Sequence, residues 1–252
     1  MRRIIASMVG LLFLSSTVIA QEVKKELSAS GIKHLHIVVD DADLRITGIS
    51  GNQVILNGEK PEPLPERAKG LTPLYNNATD NTGMGMEMIK EGDVMKLVKA
   101  RGSSDKFDIQ VPAGLNLKIT ESSWQGGDFE VSNITGEIEI NSKNADIKLE
   151  KVSGPITAST TSGDIEVVFT NLNQSKPTFI SNISGFIDVT LPESSKANLM
   201  LSTMSGEIFS NHDLKSDKND MTSYSSKIRK EMNGGGVELR LKAISGEIYL
   251  RK

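Results

Sequence analysis

A nine-residue step constrains this chain more than any other feature. Gly127-Asp-Phe-Glu-Val131, Gly136-Glu-Ile-Glu-Ile140, Ala145-Asp-Ile-Lys-Leu149, Gly154-Pro-Ile-Thr-Ala158 and Gly163-Asp-Ile-Glu-Val167 follow one another at that spacing without a slip. The unit returns at Gly185, Gly206 and Gly246 after intervals of 22, 21 and 40 residues, and the same nine-residue step separates Ala42 from Gly51 nearer the start. A repeat this short and regular is the signature of a stacked architecture.

The chemistry of the unit says what is stacked. Its apolar residues lie two apart, as Ile138 and Ile140 do, so they share one face of an extended strand while Glu137 and Glu139 take the other. Ile, Val and Thr favour strands, and the Gly or Ser-Gly between units marks turns. One strand and one turn enclose nothing; two opposed strands with two turns enclose a core, as sheets about 10 Å apart. The spacing predicts an all-β chain folded as a single elongated parallel β-solenoid, β-helix or β-roll-like, with about 18–22 residues per coil. On this reading the steps of 21 and 22 are one coil each and the step of 40 is two. An antiparallel sandwich of hairpins is the competing arrangement. The leading glycines, Gly127, Gly136, Gly154, Gly163, Gly185, Gly206 and Gly246, are expected at tight corners that need close backbone approach or positive φ.

Two stretches break the rhythm and read as loop insertions. Residues 59–83 hold Pro61, Pro63, Pro65 and Pro73 and then a polar run from Tyr75 to Gly83; residues 211–236 are charged, Ser-rich and closed by three glycines. Met84–Ile89 and Val94–Val98 between the insertion and the repeats are strand-like. Binding surfaces usually form where insertions leave a repeat body, which nominates Arg67, Tyr75, Asp80 and Asn81 as a candidate binding loop. The last unit, from Ile244 to Lys252, is expected to shield the final ladder edge with its charged tail.

The first twenty residues, MRRIIASMVGLLFLSSTVIA, have two arginines, an apolar run from Ile4 to Leu14 and small residues at the end, the pattern of a secretory signal peptide cleaved between Ala20 and Gln21. The run is too short for a ~30 Å hydrocarbon core, so the expectation is export to the periplasm, the cell surface or the medium, with residues 21–252 forming the solenoid and not spanning the membrane. Loss of Arg2 and Arg3 moves the net charge from −3 to −5, which offers no general attraction to nucleic acid. With no Cys there is no disulfide framework, thiol nucleophile or Cys-ligated metal, and only His34, His36 and His212 remain for imidazole chemistry.

Three groups invite a metal or catalytic reading, and each has a plainer one. The alternating Met84, Met86 and Met88, with Met95, are soft sulfur ligands of the kind Cu(I) takes, or the apolar positions of a core strand. His34 and His36 could share an ion with Asp40, Asp41 or Asp43, or face solvent. The acids that follow the leading residue, such as Asp128, Asp146 and Asp164, could stack as a calcium ladder, yet Pro155 and Phe186 interrupt the series and like charges about 4.8 Å apart repel unless residues such as Lys148 intervene. A solvated polar face is the simpler account, and no metal or other cofactor is expected. Polysaccharide lyases and hydrolases also use β-helices, but one Trp, three Tyr and seven Phe make a poor sugar platform, and no G-x-S-x-G elbow is present.

The Ser-Gly-acid-Ile units at 162–165, 205–208 and 245–248, the segment Phe107-Asp-Ile-Gln-Val-Pro-Ala-Gly114 and the ending GGGVELRLKAISGEIYLRK resemble DUF4097, a bacterial family of secreted or envelope β-solenoids commonly labelled adhesins. The resemblance covers roughly residues 32–252, and the Pro-rich passage from Pro65 to Tyr75 followed by Asp80-Asn-Thr-Gly83 also resembles some members. It implies a β-solenoid with an envelope role and brings no catalytic residues. The sequence therefore points to a non-catalytic, adhesin-like scaffold or binding module whose partner is an envelope or matrix protein or polysaccharide. A carbohydrate-active β-helix enzyme and an envelope-stress accessory protein are the alternatives.

Overall fold

The computed structural model describes residues 22–61, 63, 65–71, 74, 78–100, 105–214, 221–222 and 225–252; the expected leader, residues 1–20, lies outside them. The strands in chain order are β1 (Glu22–Ser28), β2 (His34–Val39), β3 (Asp43–Ile49), β4 (Gln53–Glu59), β5 (Met86–Glu91), β6 (Val94–Lys99), β7 (Lys106–Pro112), β8 (Asn116–Glu121), β9 (Phe129–Ser132), β10 (Ile138–Asn141) and β11 (Ile147–Val152). They continue as β12 (Ile156–Ser162), β13 (Ile165–Phe169), β14 (Thr178–Ser184), β15 (Ile187–Thr190), β16 (Ala197–Thr203), β17 (Ile208–Ser210), β18 (Met221–Thr222), β19 (Ser225–Met232), β20 (Val237–Lys242) and β21 (Ile248–Arg251). A 3₁₀ turn at Glu66–Ala68 is the only helix among the described residues.

These strands form two sheets. Sheet A runs β1-β4-β7-β3-β9-β11-β13-β15-β21-β17, and sheet B runs β18-β19-β16-β20-β14-β12-β10-β8-β2-β6-β5. Through the middle the chain alternates between sheets and pairs in parallel with the coil before: Ile138 faces Ile156 and Ile147 faces Ile165, each pair 18 residues apart. Ile165 faces Ile187, a coil of 22. This is the solenoid that the nine-residue step predicts. The inward residues of both sheets, among them Phe129, Ile138, Ile147, Ile156, Ile165 and Ile187, are buried in one core.

At both ends the stacking order departs from chain order. The coil β6–β7 lies outside β2–β3, and β8–β9 returns to the inner side of β2–β3. At the other end β20–β21 sits between β14–β15 and β16–β17. Each swap follows one of the two insertions, which supply the chain needed to pass over a coil. Antiparallel strands flank the outer coils: β4 and β1 beyond β7 in sheet A, β5 beyond β6 and β19 and β18 beyond β16 in sheet B.

Three expectations change as a result. The step of 40 from Gly206 to Gly246 separates adjacent coils rather than spanning two, and the expected loop insertion at 211–236 is in part strand, since β19 within it pairs antiparallel with β16. The unit at Gly51 is not a solenoid rung: β4 stays in sheet A and runs antiparallel to β7. The final strand does not shield an edge, since β21 is paired on both sides and β17 ends sheet A. Alternating hydrophobicity fixes which face of a strand is inward but not which strand lies beside it.

The corner glycines are needed chiefly for close approach. A Cβ on Gly154 would overlap the Gly136 carbonyl oxygen, and one on Gly246 would overlap the Gly185 carbonyl oxygen, so coils at these corners touch backbone to backbone. Gly127, Gly136, Gly163, Gly185 and Gly206 meet the neighbouring backbone in the same way.

Candidate binding surfaces

The loop nominated from sequence leaves sheet A after β4 and enters sheet B through β5. Arg67 lies exposed in the 3₁₀ turn, and Tyr75 lies outside the described residues. Leu71 and Leu74 project from this loop at 68% and 87% exposure, the highest values among the large apolar residues described. Asp80 and Asn81 are bonded within the loop's own return. The Asp80 Oδ1 accepts from the N–H groups of Thr82 and Gly83, both at 2.9 Å, and from the Thr82 hydroxyl at 3.0 Å. Burial opposes ionisation of Asp80, but these N–H donors, with that of Gly85, outweigh it and hold its carboxyl below the usual range. The Asn81 amide both donates to the Met88 carbonyl (2.9 Å) and accepts from the Met88 N–H (2.8 Å), standing in for a strand partner. These two residues shape the loop's exit, and Arg67 and the leucines are its projecting groups.

Beside that loop the outer face of sheet A carries a groove of about 710 Å³ lined by Asp43, Arg45, Lys106, Asp108, Asp128 and Glu130, with Asn57 and Glu59 of β4 as one wall. Its charges follow from register. Asp108, Arg45, Glu130, Lys148 and Glu166 stand side by side on successive strands, so acids and bases largely alternate. Arg45 Nε donates to Glu130 at 2.9 Å and its guanidinium lies 3.7 Å from Asp108. The acids at the strand entrances cap backbone: Asp43 accepts from the Asp128 N–H, Asp146 from the Asp164 N–H and Asp164 from the Phe186 N–H, at 2.8–3.1 Å. Among the described residues Asp128 has no such donor, and burial followed by Asp146, Asp43 and Glu130 pushes its carboxyl up.

Further along the same face three aromatic rings gather. Tyr249 stacks on Phe209, with centroids 5.4 Å apart and planes 12° apart, and Phe186 meets Tyr249 edge-on at 6.1 Å. Arg251 covers Tyr249 and is held by both oxygens of Asp188 at 2.8 Å. Sequence reading missed this cluster. Its signal was an aromatic at the same place in Gly206-Glu-Ile-Phe209 and Gly246-Glu-Ile-Tyr249, hidden because those units were expected two coils apart.

The residues nominated as metal ligands take structural places. Met84, Met86 and Met95 are buried in the core, and Met88 packs against it. His36 bonds Thr120 on the outside of sheet B, and burial together with Lys118 and Lys96 lowers its pKa. Asp40 and Asp41 instead surround the buried Lys99 ammonium with Asp105, and Asp41 makes the shortest of the three contacts. Among the described residues no group of three or more His, Asp or Glu side chains is placed to hold a metal ion. Nor is any helix among them long and apolar enough to cross a membrane.

The Toastrack DUF4097 family profile matches residues 21–251. Solved structures of similar shape include a candidate cell adhesion protein from Clostridium sporogenes, 13% identical, covering 92% of this chain and 99% of that one with a TM-score of 0.49. A candidate adhesin from Bacteroides fragilis is 10% identical over 92% of this chain and 96% of that one, with a TM-score of 0.44. No curated protein matches the sequence.

Proposed function

The chain belongs to the Toastrack DUF4097 family, and from that membership we propose that it is a non-catalytic, adhesin-like binding module of the bacterial cell envelope, exported and cleaved after Ala20. The observation that carries this reading is the loop between β4 and β5: Leu71, Leu74 and Arg67 project from it, while Asp80 and Asn81 brace it against the strand that follows. Exposed apolar and cationic tips on a braced excursion from a rigid stack suit capture of a partner. On the outer face of sheet A, Glu130 is held by Arg45, and Asp43, Asp146 and Asp164 accept from backbone N–H groups, which suits a structural role for these carboxylates.

The test immobilises the exported protein on beads and offers envelope polysaccharides and intact cells. Retention that is lost on deleting residues 66–82, with the β-sheet circular dichroism preserved, is the expected result. Polysaccharide cleavage products would overturn the reading in favour of an enzyme, and unchanged retention in the deletion variant would remove the loop from it.

A further inference from the structure

Sheet B carries an unusual patch at the end of the stack opposite the loop. Arg240 of β20 stands in register between Phe179 of β14 and Met200 of β16, and Met200 is followed by Arg229 of β19. Two residues along, Lys242 stands between Ser181 and Ser202, and Ser202 is followed by Lys227. Four cations thus occupy the corners of a quadrilateral, two strand spacings (~9.6 Å) by two residues (~6.8 Å) on a side. Arg240 is partnered by Glu238 at 2.7 Å and covers the Phe179 ring, whereas Lys227, Arg229 and Lys242 have no ion pair among the described residues. The nearest acids on this face, Glu238 and Glu231, lie together along one border, in register with Asn198 between them. Phe179 at 37% and Ile183 at 46% exposure sit beside the cations, on a face where apolar side chains have no folding reason to be.

We propose that this face of sheet B docks onto an anionic phospholipid surface, with Lys227, Arg229, Arg240 and Lys242 over the headgroup phosphates and Phe179 and Ile183 entering the interface. The inference rests on the envelope reading above and names the surface against which the module lies. Charge complementarity favours it. The patch is cationic in a chain of net charge −3, and its cations share one sheet face with exposed apolar side chains, the combination that an anionic lipid interface takes. The outer face of sheet A, with its rows of Asp and Glu, would be turned away by the same surface, so the molecule would lie with its aromatic cluster toward the outside.

Flotation with vesicles of about one-third phosphatidylglycerol in phosphatidylcholine tests this on the exported protein. Wild type should float with these vesicles, should not float with phosphatidylcholine alone, and should be released by salt. Lys227→Gln/Lys242→Gln should lower the partition coefficient about thirtyfold, from ~1 kcal/mol for each cation at such a surface, with unchanged melting temperature. Phe179→Ser should weaken binding without altering its salt dependence, and Lys148→Gln on sheet A should change nothing. Equal binding to both vesicles, or unchanged flotation of the double variant, overturns the proposal. Capture by soluble polyphosphate with no flotation overturns it too and assigns the patch to a polymeric anion. Bead retention through the 66–82 loop does not involve these residues, so either reading can fail alone.

Discussion

Leu239 of β20 lies in register with Leu199 of β16 on one side and Thr178 of β14 on the other, although the chain visits β14, then β16, and reaches Leu239 last. The same order holds in sheet A, where Tyr249 of β21 is flanked by Asp188 of β15 and Phe209 of β17. The last coil made is an interior coil of the stack.

Coupling between Tyr249 and Phe209 checks that order directly. Their rings stack at 5.4 Å, and aromatic pairs contribute about 0.5–1.5 kcal/mol beyond burial. A double-mutant cycle with Tyr249→Ala and Phe209→Ala, read by urea denaturation, should return a coupling in that range. Coupling indistinguishable from zero would place the two coils apart.

The corner glycines make a graded prediction. Gly154→Ala and Gly246→Ala drive a methyl into the backbone of the adjacent coil and should each cost roughly 1–3 kcal/mol or more, since coils cannot separate without opening the ladder. Gly114→Ala meets nothing nearer than the Thr135 hydroxyl at 3.9 Å and should be neutral within about 0.5 kcal/mol. Urea midpoints of the three variants give the comparison.

Glu121 is buried at the end of β8 and braces the next turn. Its carboxylate accepts from the Ser142 hydroxyl at 2.5 Å and from the N–H groups of Lys143, Asn144 and Gly127 at 3.1–3.2 Å. Glu121→Ala removes the acceptor of the Ser142 hydroxyl and of the Lys143 and Gly127 N–H groups, leaving the Asn144 N–H only the Ser142 oxygen, and should destabilise by about 3–5 kcal/mol. Glu121→Gln, which keeps one acceptor oxygen, should cost less. Thermal melts that rank the two the other way would show the carboxylate is dispensable.

How much of this was legible beforehand depends on what each interaction leaves in the sequence. Alternating Ile and Val at a nine-residue step specify strand, face and coil length, and the middle of the stack follows from them. The swaps at the ends do not, because Ile208 and Ile187 are equally suitable neighbours for Ile248. Arg67 stood out by lying in a Pro-rich break, but Asp80 and Asn81 look the same whether they bind a partner or their own turn. The aromatic cluster and the cations of sheet B come from register across coils far apart in the sequence.

Asp80 offers a pH signature. Its carboxyl titrates below the usual range in the folded chain, so its contribution to stability is present above the unfolded value near 3.8 and is lost as pH falls through the folded one. Asp80→Ala should lower stability at pH 7 by about 1–2 kcal/mol, and the gap to wild type should close as the pH drops below 4. A gap that stays constant with pH would mean the ionised form is not what the turn N–H groups hold.

Truncation gives the severest test of the stacking order. In an ordinary solenoid the last coil is a terminal neighbour of one other coil, and its loss frays one end while the rest persists. Here the final coil contributes Leu239, Leu241, Ile248 and Leu250, all fully buried, and pairs with coils on both sides. Fully burying each such side chain stabilises by about 1.5–3 kcal/mol, so the four together match the roughly 5–15 kcal/mol that holds a whole domain folded. The coil β16–β17 would also lose its parallel neighbours in both sheets. Removing residues 237–252 should therefore abolish cooperative unfolding and protease resistance throughout the neighbouring coils, and not merely shorten the stack. A truncated chain that melts cooperatively within a few degrees of the full chain would show that the coils stack in chain order after all.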